Sequence, residues 1–202
     1  MNRFEVPSGP LTLEREIKRS RFIVHVDRIG SREQFMALLQ TRRAVFPDAG
    51  HHCWAYVAGA PGDLTRADKS DDGEPRGTAG KPMLHALSLS GVGEIGAVVT
   101  RFFGGVKLGA GGLVRAYGGC VSDALGELAT ETRYRTETWT LDVPYALVDS
   151  LEHQLKATRV AVVDRQFAEH VTVILDVPLD DADALGAEID ALGQGSIARR
   201  TV

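Results

Sequence analysis

The segment RFFGGVKLGAGGLVRAYGG, Arg101 to Gly119, combines bare backbone with positive charge: Arg101, Lys107 and Arg115 are interleaved with Gly104, Gly105, Gly109, Gly111 and Gly112. From Ile95 to Ser122 the chain has no Asp or Glu. Glycine removes the Cβ barrier to positive φ and lets another backbone or a ligand approach closely. A helix starting near Gly112 or Leu113 turns its first free N–H groups toward the same loop. Unshielded amides, a helix N-terminus and three cations without a nearby carboxylate make a cradle for an anion such as phosphate. The same glycines also fit tight turns and close helix–sheet packing, and spacing alone does not separate the two.

Upstream lies APGDLTRADKSDDGEPRGTAGKPM, Ala60 to Met83, with Asp68, Asp71, Asp72 and Glu74 inside seven residues. A polar loop of that length in a compact domain is either functional or disordered. Pro82 marks a helix start, which leaves backbone donors at Gly80 and Lys81 open to solvent or an anion, with the Lys81 side chain beside them. Asp71, Asp72 and Glu74 are read as supporting acids that pair with Arg101 or Arg115. The alternatives are a solvated turn or, in an enzyme, magnesium ligands or a base. GTAGKP lacks the glycine spacing of a P-loop and has Pro where a magnesium-binding Ser or Thr would follow the Lys. GVGEIG, Gly91 to Gly96, precedes a strand where a dinucleotide fingerprint would open a helix. In HHCWAYVAG the period of two sends His52, Trp54 and Tyr56 to one face and His51, Cys53, Ala55 and Val57 to the other, so His51, His52 and Cys53 cannot chelate together. No metal and no cofactor are expected. Cys53 and Cys120 lie outside any CxxC and read as buried thiols.

The elements around these motifs define two parts. TLEREIK and RFIVHVD are strands, SREQFMALLQTRRAVF is a helix with Ser31 and Gln34 at capping-box spacing, and IGAVVTRFF is the strand that leads into the glycine segment. Residues 1–137 carry 18 Lys/Arg against 16 Asp/Glu, whereas residues 138–202 carry 5 against 11. Between them ATETRYRTET, Ala129 to Thr138, is polar and lacks an apolar period, which reads as a short linker between domains 1–137 and 138–202. The second domain runs βαββαβ, a ferredoxin-like order. Asp180, Asp181 and Asp183 fit the first turn of its second helix on dipole grounds. An anionic partner would meet the first domain. The N-terminal residues have no signal-like apolar run and no window approaches a membrane span, so a cytoplasmic protein is expected.

SDDGEPRGTAGKPML, TRFFGG, KLGAGGLVRAYGG and the upstream KRSRF and HHCWAYVAG together resemble the bacterial YigZ-like branch of the IMPACT family. The resemblance runs from about Thr12 to the C-terminus, with conservative variation such as Phe102–Phe103 where a Tyr is common. It implies an α+β protein: an N-terminal α/β two-layer domain of the type found as the second domain of ribosomal protein S5, and a C-terminal ferredoxin-like domain resembling those of elongation factor G. Both folds recur in ribosome-associated proteins. Eukaryotic relatives regulate translation initiation under amino-acid starvation through a further domain that these motifs do not include. The expectation is a translation-linked regulatory protein that binds RNA or ribosomal particles through Lys81, Arg101, Gly104, Gly105, Lys107, Gly109, Gly111, Gly112 and Arg115. A translation-regulatory protein partner is a further expectation, no membrane is involved, and the oligomeric state is open. Small-molecule kinases share the N-terminal fold, which sustains the alternative of an enzyme acting on a phosphorylated or peptide-like substrate in the same cleft.

Overall fold

A computed structural model describes residues 2–201. Close contacts divide them into two units, one spanning Phe4–Arg133 and the other formed by residues 134–201 together with residues 2–3.

The first unit is built on a five-stranded antiparallel sheet of β2 (Leu11–Ile17), β3 (Ser20–Arg28), β4 (His51–Val57), β5 (Ala67–Ser70) and β6 (Ile95–Phe102), in the order β2-β3-β6-β4-β5. α2 (Gly80–Leu89) and α3 (Ala110–Glu127) cover one face. Phe22, Val24, Cys53, Ala55, Val57, Ala97 and Val99 meet Met83, Leu87, Leu113, Tyr117 and Val121 there. α1 (Arg32–Val45) lies across the other face, where Phe35 and Leu39 pack on Trp54, Tyr56 and Val98. The alternation expected of HHCWAYVAG is therefore observed, with Cys53 and Trp54 in different cores. Ser31 caps α1 by accepting from the Gln34 N–H at 3.3 Å, and the Gln34 side chain returns to the Gly30 N–H at 2.8 Å.

Two segments expected as loop or linker are ordered. The polar stretch from Ala60 folds into a short 3₁₀ turn at Leu64–Arg66 and then β5, an edge strand whose outer side faces water and so needs no apolar residues. The polar seam holds β7 (Thr130–Tyr134), which pairs with β1 (Arg3–Pro7) in a two-stranded ribbon. Most of β7 is exposed, which is why its sequence shows no apolar alternation.

The second unit runs β8 (Thr136–Val143), α4 (Tyr145–Leu155), β9 (Ala161–Phe167), β10 (Val171–Pro178), α5 (Ala182–Gly193) and β11 (Ala198–Thr201). Its antiparallel sheet has the order β11-β8-β10-β9, the ferredoxin-like arrangement expected from βαββαβ. Trp139, Leu141, Val143, Val171, Val173 and Leu175 meet Leu151, Leu155, Leu185 and Ile189 in its core. Asp181 is held by Arg159 and Asp183 sits in the first turn of α5. Among the described residues no helix is long and apolar enough to cross a membrane.

Two histidines are expected to make the first unit acid-sensitive. His52 is buried with Nδ1 3.1 Å from Thr100 Oγ1, and half-buried His25 has Nδ1 2.8 Å from Thr12 Oγ1. Burial lowers both below the ordinary histidine value; at His25 Arg42 adds to this and Asp27 opposes it, and at His52 Asp72 and the Phe46 backbone oppose it while Arg43 and then Arg42 add to it. As pH falls below about 6.5 the unfolded chain takes up protons before the native state does, so stability declines until the native values are also passed. The Tm is expected to drop between about pH 7 and about pH 5, with a flatter profile in a His25→Gln/His52→Gln variant. A wild-type Tm that stays constant over that interval would contradict this.

Candidate nucleic-acid interface

Arg101 is the core-facing residue near the end of β6, paired across the sheet with Phe22 of β3 and His51 of β4. It is only 5% exposed. Its Nη1 donates to Glu74 Oε1 at 2.5 Å and its Nη2 to Ser20 Oγ at 3.2 Å, while Nε has no partner. Tyr117 of α3 donates to the same Glu74 oxygen at 2.8 Å, and burial keeps its phenol protonated for that purpose. The expected pairing of the acidic run with Arg101 is thus made by Glu74. A guanidinium neutralised in this way is a structural bolt between the 71–80 segment, β6 and α3, and its assignment as a phosphate ligand is corrected accordingly.

The other two acids do different work. Asp72 accepts the His52 N–H at 2.7 Å on Oδ2 and Arg43 at 2.8 Å on Oδ1. Its carbonyl accepts from His51 Nδ1 at 2.8 Å, which leaves His51 Nε2 facing Glu74 Oε1 at 3.9 Å. Asp71 accepts from the N–H groups of Gly77, Ala79 and Gly80 at 2.7, 3.0 and 2.8 Å. Burial pushes its carboxyl up, but the three donors together outweigh that and hold it below the ordinary carboxylate value. This corrects the expectation for Gly80, whose N–H does not stand open for an anion: the protein's own carboxylate already takes it. Neither Asp71 nor Asp72 pairs with Arg101 or Arg115, and among the described residues no group of three or more His, Cys, Asp or Glu is arranged to hold a metal ion. Lys81 is exposed on the first turn of α2 and does not line the groove at α3 described next.

The N-terminus of α3 differs. Gly109, at φ +75°, precedes the helix and no side chain caps it. A groove of about 220 Å³ opens beside the first turns, lined by Ile17, Lys18, Leu108, Gly112, Arg115 and Ala116, with no carboxylate among them. Lys107 is exposed next to Leu108, and Arg115 is exposed on α3. The glycines have separate reasons. Gly105 and Gly109 have positive φ, and Gly104 lies so close to the β2–β3 turn that a Cβ would fall 1.8 Å from the Arg19 carbonyl oxygen. Gly111 and Gly112 fall within the first turn of α3, which begins at Ala110, earlier than expected. A Cβ on Gly112 would stand 3.0 Å from Leu108 Cβ, at the floor of the groove.

Lys18 is the groove cation that sequence reasoning missed. It and Arg19 form the two-residue turn joining β2 to β3, at φ 48° and 65°. Two positive-φ residues are the requirement of a type I′ hairpin, usually met by Asn and Gly. Lys-Arg at that place departs from the easiest turn chemistry, and the KRS tripeptide between two strand patterns is the signal that marks it.

Both thiols are buried, as expected: Cys53 donates to the Asp71 carbonyl at 2.9 Å, and burial raises Cys53 to about 12 and Cys120 to about 11.

Residues 18–125 match the Impact N-terminal domain, and residues 141–196 match a domain of unknown function, DUF1949. The chain is 41% identical to the IMPACT family member YigZ of Escherichia coli (strain K12), covering 98% of this chain and 97% of that protein. An IMPACT family member of Haemophilus influenzae is 38% identical over 98% of this chain and 96% of its own length. A crystal structure described as that of a hypothetical protein superposes with a TM-score of 0.80 at 40% identity, over 98% of this chain and 97% of that one.

Proposed function

The chain belongs to the IMPACT family, and from that premise we propose that it is a translation-linked protein that binds RNA, free or in ribosomal particles, by the phosphate backbone at the N-terminus of α3. The observation that carries this reading is the groove itself: an uncapped helix start flanked by Lys18 and Arg115, with no acid in its lining and an exposed Lys107 one residue before the lining Leu108. Free N–H groups and a helix dipole favour an anion there, and the exposed cations add charge that a neutralised Arg101 does not supply. The family resemblance implies a ribosomal-protein type of fold for the first unit, and a ribosomal or RNA partner would suit it. A formal net charge of −4 opposes long-range attraction, so binding is modest and depends on these local cations.

Native purification at low salt tests the reading. The protein is expected to carry RNA or to co-sediment with ribosomal particles, and a Lys18→Ala/Lys107→Ala/Arg115→Ala variant to arrive free of both. Wild-type protein free of nucleic acid at low salt, or carrying a bound mononucleotide instead, would contradict it.

A further inference from the structure

We infer that Phe103 is a base-stacking platform, which makes the RNA partner single-stranded at this site; the inference rests on the phosphate-binding reading above. Phe103 is 58% exposed, immediately after β6 and ahead of Gly104. An isolated exposed aromatic means little by itself. Phe103 differs because its position is fixed on both sides. Arg101, two residues earlier in β6, is held by Glu74 and Ser20, and its guanidinium carbon lies 5.6 Å from the Phe103 ring centroid. Gly104 follows it, with its N–H on Ser20 Oγ at 3.2 Å and its α-carbon against the Arg19 carbonyl. The ring therefore has a buried cation behind it and open solvent in front.

Its neighbours suit a nucleotide chain. The same short loop carries Val106, 37% exposed, and Lys107, and ends at Gly109 before α3. Single-strand binding sites combine cations that track the backbone with aromatic rings on which unstacked bases lie. A duplex keeps its bases stacked inside and has none to offer such a ring. A phenylalanine has only two side-chain torsions, so ordering the ring against a base costs little conformational freedom.

Binding of a fluorescent oligoribonucleotide of about eight nucleotides, alone or annealed to its complement, tests this. Wild-type protein is expected to prefer the single strand. Phe103→Leu, which keeps apolar area but removes the ring, is expected to lose about 5- to 150-fold in single-strand affinity. Its salt dependence and its duplex affinity stay unchanged, because no phosphate contact is removed. Phe103→Trp retains the affinity, and its added indole fluorescence is quenched by the single strand. If Phe103→Leu binds the single strand as wild type does, or loses affinity equally for the duplex, while binding remains salt-dependent, the platform is overturned and the phosphate reading stands. If wild-type protein binds neither form, both fall.

Discussion

Gly104→Ala is expected to destabilise the first unit by about 3 kcal/mol or more, a large cost for a single methyl group. The new Cβ would lie 1.8 Å from the Arg19 oxygen, 2.0 Å from the Arg19 carbonyl carbon and 2.5 Å from the Ser20 nitrogen. All three are backbone atoms of a tight hairpin, so no side chain can swing aside. Relief requires the hairpin and the 103–109 loop to part, which breaks the Ser20 hydrogen bonds to Gly104 and Arg101 and moves Lys18 away from α3. Gly105→Ala provides the contrast. Its φ of +82° is strained for a side chain, but nothing lies within 4 Å, so about 1–2 kcal/mol is expected. Urea unfolding of the two variants checks this, and a Gly104→Ala variant within 1 kcal/mol of wild type, as an approximate bound, would refute the steric account.

The second large effect is at the buried pair. Glu74→Gln leaves the Arg101 guanidinium in the core without a counter-charge, and the expected loss is about 3–5 kcal/mol. Arg101→Met strands the carboxylate and carries a similar cost. The double variant Glu74→Gln/Arg101→Met removes both charges and is expected to be more stable than the sum of the two singles allows, because two charges that no longer need desolvation are gone together. Tyr117→Phe removes only one hydrogen bond to Glu74 and costs about 1 kcal/mol. Thermal unfolding of the four proteins decides the matter: a double variant as unstable as the sum of the two singles would show that the groups do not act as a pair.

The parts of the fold set by local periodicity were legible in the sequence. The faces of His51–Val57, the α1 stripe of Phe35 and Leu39, and the βαββαβ order of the second unit each follow from apolar spacing over a single element. The acids were not legible in the same way. Asp71 serves N–H groups six to nine residues further on, and residue types say nothing about which backbone donors a carboxylate will meet. Arg101 could have been placed from its strand. It alternates with Ala97 and Val99, both on the face that buries Cys53, so a core position and a need for a buried acid follow from the period of two. Lys18 escaped because the groove is assembled from β2 and α3, which pack together only in the folded chain. Charge counted along the Ile95–Ser122 segment therefore included one cation that the fold consumes and omitted one that it supplies.

The salt dependence of single-stranded RNA binding tests the central claim most directly, since it counts the phosphates neutralised rather than the strength of any one contact. Three contacts, from Lys18, Lys107 and Arg115, correspond to a slope of log affinity against log salt of about −2, at about −0.7 per contact. Lys107→Ala/Arg115→Ala should reduce it to about −0.7 while leaving the thermal stability near that of wild type, because both side chains are exposed. A double variant that binds with the wild-type affinity and the wild-type slope would contradict phosphate recognition at the start of α3.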